Sequence, residues 1–415
     1  MTQDDYSRKL KGGMYMQKFL FTILLVFLMV YPVFSDELKW EPDRFGVATS
    51  EKDSQATIFD IKTNSAVKSV KTGKVPHPLA FTPDGKKLYI ANRGECTLTV
   101  VDMMRFEAVK TIKLNWKPSC VAVSHNGKLL AVTAKEESEV AIIDTATDEI
   151  VKSIPILRTD NEENESRQKP LHGMTMTHPI WTDDDMFLYV NIVPKSMIIK
   201  LDGRNFDLVS TIQTPSPIHM MYEHDNRLYA LAQGKRMMNR PPGVVIYDIK
   251  TDKKVAYTTI PLQEGEPPLG HHACFAGDIM YYANMGNDSA PWGSTVALLD
   301  IKLMKVIKTL EGPTGAGHPL LSPDGKYVFV SGHGDNRIFV IDTKTQEITK
   351  KIRLGEKKGV GHGCFFSPDG KRYYIVSNAD NAVYVIDAEK LETIAKIPTG
   401  EFPNDMSLNF MDSYK

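Results

Sequence analysis

Eleven histidines punctuate this 415-residue chain. Most share one local setting, the start of a short apolar run, usually beside Pro or Gly. They are His77 (VPHPLAF), His178 (THPIW), His219 (PIHMMY), His271 and His272 (LGHHACF), His318 (GAGHPLL) and His362 (GVGHGCF). His333 stands in SGHGDN, and His172 follows the polar stretch LRTDNEENESRQKPL at 157–171. Imidazole titrates near neutrality and ligates iron, copper and zinc, so a set converging on one place could hold a metal or a metal-bearing cofactor. A lone histidine beside a proline is ordinarily a turn residue. The same placement repeated along a chain points to one shared pocket. Spacing does not select the metal, because the candidates come from segments far apart. The chain carries no HExxH, P-loop or GxSxG element, and its Gly-rich stretches do not lead from strand to helix, so a nucleotide cradle is not expected.

Such residues need elements that bring them together. An alternating apolar run ending in Asp recurs at Asp60 (TIFD), Asp102 (TVVD), Asp144 (AIID), Asp202 (IIKLD), Asp248 (VIYD), Asp300 (ALLD), Asp342 (FVID) and Asp387 (YVID). Two strand-like runs precede each marker, joined in the clearest cases by a Pro-Asp-Gly hairpin signal, as in PLLSPDGKYVFVSG. A further β-rich run follows each one. Four short strands repeating every 40 to 50 residues or so describe a propeller blade, and no stretch has helical periodicity. The chain enters at FGVATS as if at a second strand and ends in EFPNDMSLNF as a lone first strand. Pairing these would close the ring and remove its free edges. The expectation is an all-β, eight-bladed β-propeller, with seven blades as the alternative count, built as one domain over 36–415. In that fold the strand entries share a rim with the loops between second and third strands. Nine of the eleven histidines sort to that rim; His125 and His224 fall on the opposite one.

Composition narrows the function. Lys plus Arg number 50 against 51 Asp plus Glu, so no concentrated basic patch suggests nucleic acid. The four cysteines are too few for a disulfide scaffold, and no CxxCH allows covalent c-type heme. Lys18 precedes the apolar run FLFTILLVFLMVYPVF at 19–34, followed by Ser35-Asp36. That pattern predicts a secretory signal over 1–35, starting in truth at Met14 or Met16 and cleaved near Ser35. The mature chain would then be periplasmic or otherwise secreted, with no stable membrane span. An uncleaved anchor is the competing reading.

Arg93 in IANRGECTLTVVD lies on the same rim as His77, where a guanidinium could fork a carboxylate. Arg236, Arg240, Trp292, Tyr282 and Met285 are expected on loops of that face, offering anion contacts and an apolar wall. With these residues in place, the chain resembles the heme-d1 propeller family, which comprises the d1 domain of nitrite reductase and the propellers of heme-d1 biogenesis. The SPDGKYVFVSG repeat is generic to YVTN-type propellers; the placement of His77, Arg93, His318 and His333 is more specific. The resemblance implies a heme-d1-like tetrapyrrole with His77 as axial ligand or base and Arg93 as propionate partner. His318 and His333 become the distal, catalytic pair, with His271 and His272 beside the cofactor. Protonated distal imidazoles would donate protons or hydrogen bonds.

The family's c-type heme domain has no counterpart, which favours heme-d1 biogenesis or an accessory role in nitrogen-oxide redox metabolism over self-contained nitrite reduction. Whether the protein is itself an enzyme, an oxidoreductase or a biosynthetic one, stays open. Two other readings stay open too. One is a cofactor-free scaffold subunit of a multi-subunit redox enzyme, such as the hydrazine synthase beta-type subunit, docking a periplasmic redox partner. The other is a propeller holding a bare metal at its histidines.

Overall fold

A computed structural model describes residues 39–408 apart from 136–138, 157–176, 235–240 and 287–290. The leader, His172, Arg236 and Arg240 therefore lie outside the described residues. The fold is an eight-bladed β-propeller of eight four-stranded antiparallel sheets. Among the described residues the one helical element is a 3-10 turn at Val193–Lys195. Blade 1 is split between the two ends of the chain. Phe45–Ser50, Gln55–Asp60 and Ser65–Lys71 follow one another, and Pro403–Leu408 supplies the inner strand, with Val47 opposite Ser407 and Ala48 opposite Met406. Blades 2 to 8 each run in order from the inner strand outward. No helix among the described residues is long and apolar enough to cross a membrane.

Each repeated Asp closes the hairpin between its blade's third and fourth strands. Its carboxylate accepts the backbone N–H two or three residues on. Examples are Lys62 to Asp60, Met104 and Arg105 to Asp102, Lys344 and Thr345 to Asp342, and Glu389 and Lys390 to Asp387. Four residues after every one of these aspartates the backbone turns left-handed: Asn64, Phe106, Asp148, Phe206, Asp252, Met304, Gln346 and Leu391, with φ from 52° to 65°. A turn closed by one left-handed residue feeds the right-handed twist of the next strand. The Asp is thus a turn device that serves folding. The Pro-Asp-Gly signals also form hairpins, with Gly85, Gly325 and Gly370 at φ of 67° to 72°.

Core packing lies between blades. Middle strands are buried on both faces, and each hydrophobic cluster joins neighbouring sheets, as where Ala48, Met406 and Leu408 of blade 1 meet Phe365, Tyr374 and Val376 of blade 8. Tyr89 of blade 2 donates to Asp148 of blade 3, and Tyr189 of blade 4 donates to Asp252 of blade 5. These bonds satisfy phenols that the core would otherwise strand. Asp60 is 1% exposed and takes Nε and Nη2 of Arg44 at 3.1 and 2.7 Å as well as Lys62 N–H. Removing it leaves a guanidinium half-paired at the ring seam. Asp60→Ala is expected to lose about 2–3 kcal/mol in chemical denaturation with an unchanged m value. A loss under about 0.5 kcal/mol would count against this role.

Candidate functional site

The inner strands repeat one irregularity. Between Pro76 and Leu79, Pro118 and Val121, Ile218 and Met221, Gly270 and Ala273, and Ala316 and Pro319 the register slips. Two residues thus sit outside the ladder at the start of each of these strands. The pairs are His77-Pro78, Ser119-Cys120, His219-Met220, His271-His272 and Gly317-His318. The closing strand slips likewise between Pro403 and Asp405. A bulge re-aims side chains off the sheet, and here it delivers residues from successive blades into the central channel.

Eight imidazoles meet there. The rings run from His77 to His362 (5.1 Å between centroids), then to His318 and His333 (5.3 and 4.6 Å). They continue from His318 to His271 and His272 (4.9 and 4.1 Å), from His271 to His219 (4.8 Å), and from His219 to His178 (5.4 Å). His77, His219, His271 and His318 are at most 4% exposed. Burial drives every one of the eight below the ordinary histidine value, and neighbouring imidazoles or Arg93 reinforce this at most of them. His178 and His333 fall to about 4, and His219 and His362 to about 3. His77, His271, His272 and His318 fall well below the usual value as well. The cluster is neutral at pH 7. Protonated distal imidazoles are therefore disfavoured, because a charge on any ring would be desolvated and repelled by its neighbours.

Several ring nitrogens have fixed roles. His333 Nδ1 lies 3.0 Å from Val360 O and His271 Nδ1 3.3 Å from Gly317 O; a carbonyl only accepts, so each Nδ1 carries the hydrogen. Asn404 donates its amide to Glu51 at 2.7 Å, which turns its Oδ1 to accept from His362 Nδ1 at 3.0 Å. Tyr222 OH lies 3.1 Å from His272 Nδ1 and accepts from Ala273 N–H. In contrast, His77 Nδ1, His178 Nδ1, His219 Nε2, His318 Nε2, His333 Nε2 and Arg93 Nε are buried without a hydrogen-bond partner. Unpaired buried polar atoms aimed at one space mark a place prepared for a ligand.

Blade 1 contributes what sequence reasoning missed. Asp405 places Oδ2 3.9 Å from His77 Nδ1, and burial raises its carboxyl to about 7 although the charge of Arg93 opposes this. With His77 neutral and Asp405 hard to ionise, the two are polar neighbours more than an ion pair. The available signal was alignment of EFPND with the other strand entries, which puts Asn404-Asp405 where those blades carry His. Blade 3 carries Cys120 there instead, its thiol pushed up to about 11 by burial. Tyr282 differs from expectation: it lies in the strand Ile279–Asn284, within the core cluster joining blades 5 and 6, because alternation there turns it inward and not to a loop. Met285 is buried just beyond it, and Trp292 lies over Gly315 and Gly334 of blade 7. His125 sits away from the cluster, 3.1 Å from Asp185, and His224 stacks on Phe275.

The donors near His77 suit a metal-bearing tetrapyrrole: an unpaired imidazole nitrogen for iron, and the unpaired Nε of Arg93 for a carboxylate. Comparison with known proteins agrees with that chemistry. No curated protein matches the chain. Among solved structures, the fold is similar to that of dihydro-heme d1 dehydrogenase NirN in complex with DHE. The TM-score is 0.73 at 18% identity, covering 90% of this chain and 76% of that one. It is also similar to apo AztD from Citrobacter koseri (TM-score 0.60, 11% identity, 87% and 96% covered) and BamB from Moraxella catarrhalis (0.60, 13%, 84% and 97%). The model of the cytochrome D1 heme domain matches residues 40–173 and 290–409, which hold His77, Arg93, His318, His333, His362 and Asp405. Blades from the two ends of the chain thus carry the family pattern and meet at the closure, and this protein belongs to the cytochrome D1 heme domain family.

Proposed function

We propose that this is an exported propeller that binds a heme-d1-like tetrapyrrole at its histidine-lined channel and serves heme-d1 biogenesis or nitrogen-oxide redox metabolism. One observation carries the reading: His77 Nδ1 and Arg93 Nε are both buried and unpartnered in the part of the channel that belongs to the family pattern. The apolar run at 19–34 supports export. A bound tetrapyrrole would supply a redox-active iron or a macrocycle whose substituents can be altered.

The chain's own residues bind and orient. His77 would offer a nitrogen to the iron and Arg93 a charged donor to a carboxylate, while the buried rings would exclude water. His318 and His333 form the distal pair in this reading. In the free protein His333 Nε2 carries the lone pair, since Nδ1 donates to Val360 O, so it must take up a proton before it can give one. Asp405, raised to about 7, can hold such a proton beside His77.

The test is titration of the purified chain with heme and with a heme-d1 precursor, followed by absorption spectroscopy. His77→Ala is expected to weaken binding at least about tenfold and to shift the Soret band, while His125→Ala, away from the channel, leaves both unchanged. Equal binding by the two variants would remove His77 as a ligand and favour the cofactor-free scaffold.

A further inference from the structure

A tetrapyrrole iron has two axial positions, and eight imidazoles exceed what it can use. We infer that the tetrapyrrole-free chain holds a non-heme metal site in the same channel, formed by His271 and His362 together with the two rings of the distal pair, His318 and His333, and suited to a late first-row transition ion of the copper or zinc class. One ring nitrogen from each of the four lies within 4.8 Å of all the others. A tetrahedral ion with bonds of about 2.0 Å needs nitrogens about 3.3 Å apart, so an ion would have to draw the four rings closer together. No carboxylate or thiolate belongs to the group, and an all-imidazole set selects copper, zinc or nickel over calcium or magnesium.

The surrounding contacts are those that orient metal-binding imidazoles. His271, His333 and His362 each commit Nδ1 to an oxygen, from Gly317, Val360 and Asn404, which leaves Nε2 as the lone-pair nitrogen. The Glu51–Asn404–His362 relay extends this by one more shell. His318 Nε2 and His333 Nε2 are buried and unpartnered. The backbone is cut to fit as well. A Cβ on Gly317 would come within 2.7 Å of His333 Nε2, so with any other residue there the His333 ring would have to shift. A second group, His219, His271 and His272, shares His271. With Nδ1 engaged, His271 has one nitrogen to give and serves one ion at a time, so the four-residue group is the complete site. This inference does not depend on tetrapyrrole binding.

The experiment uses the full chain, stripped with chelator and never exposed to tetrapyrrole. It is titrated with Cu2+ and separately with Zn2+, desalted and analysed for metal. One equivalent of at least one ion should be retained per chain, and Cu2+ loaded at that site should show hyperfine splitting from several imidazole nitrogens. The His318→Ala/His333→Ala double variant should bind at least about a hundredfold more weakly, and Gly317→Ala, which keeps all four ligands, at least about tenfold. His125→Ala should bind as the parent does. If a variant fails to fold, the parent's stoichiometry and nitrogen splitting decide. No retained ion in the parent, a copper signal without imidazole splitting, or a folded double variant that binds like the parent would each overturn the site.

Discussion

Acidified from pH 7.5 to 5, the ligand-free protein is expected to lose its native fold. Unfolded histidines titrate near 6.5, whereas His178 and His333 in the native state are lowered to about 4 and His219 and His362 to about 3. Between these values the unfolded chain binds protons that the native one refuses. The stabilisation is complete above about pH 6.5 and falls as pH drops towards the native values. At pH 5 the difference is about 2 kcal/mol per group, or about 8 kcal/mol for these four, comparable with a typical total stability of 5–15 kcal/mol. His77, His271, His272 and His318 shift the same way. Asp405 acts in opposition: its native value near 7 makes the folded state take up a proton first, returning about 3 kcal/mol at pH 5. Eight histidines outweigh one carboxyl. Circular dichroism and thermal melts from pH 8 to 4.5 check this, and a melting temperature unchanged between pH 7.5 and 5 would show that the rings are not desolvated.

Deleting Phe402–Lys415 is expected to abolish cooperative folding. The strand Pro403–Leu408 is the inner strand of blade 1, and without it Gly46–Ser50 becomes a free edge at the channel wall. Met406 and Leu408, at 1% and 2% exposure, leave the cluster shared with blade 8, a loss of about 4–5 kcal/mol before the ladder is counted. Asn404 and Asp405 leave with the strand, which unhooks His362 and uncovers His77. Size-exclusion chromatography should find aggregate, and calorimetry no sharp transition. A truncated chain that melts like its parent would show that the ring is held closed by the blade 8 to blade 2 contacts without this strand.

The fold was legible because a propeller writes itself as repetition. Alternating runs ending in Asp mark the third strand of every blade, since each needs the same carboxylate to close the same turn. Three strands at one end and a lone strand at the other announced the closure, which register then confirms as Val47 opposite Ser407. The entry positions of His77, His178, His219, His271, His272, His318 and His362 were readable for the same reason.

What tertiary structure alone decided is how those residues meet. Sequence places the histidines on one rim, but only ring closure brings eight of them into one contact network, five from the two-residue bulges, His178 and His362 from just before their strands, and His333 from a loop. Their neutrality is likewise collective, arising from shared burial that no single residue encodes. Asn404 and Asp405 escaped notice because they are not histidines, and only alignment of their lone strand with the other strand entries puts them at the same position. Local patterns follow from backbone periodicity and turn chemistry, which short segments carry in themselves. Burial, charge state and the choice of donor nitrogen depend on residues as far apart as Glu51 and Asn404, and those exist as a set only when the ring has closed.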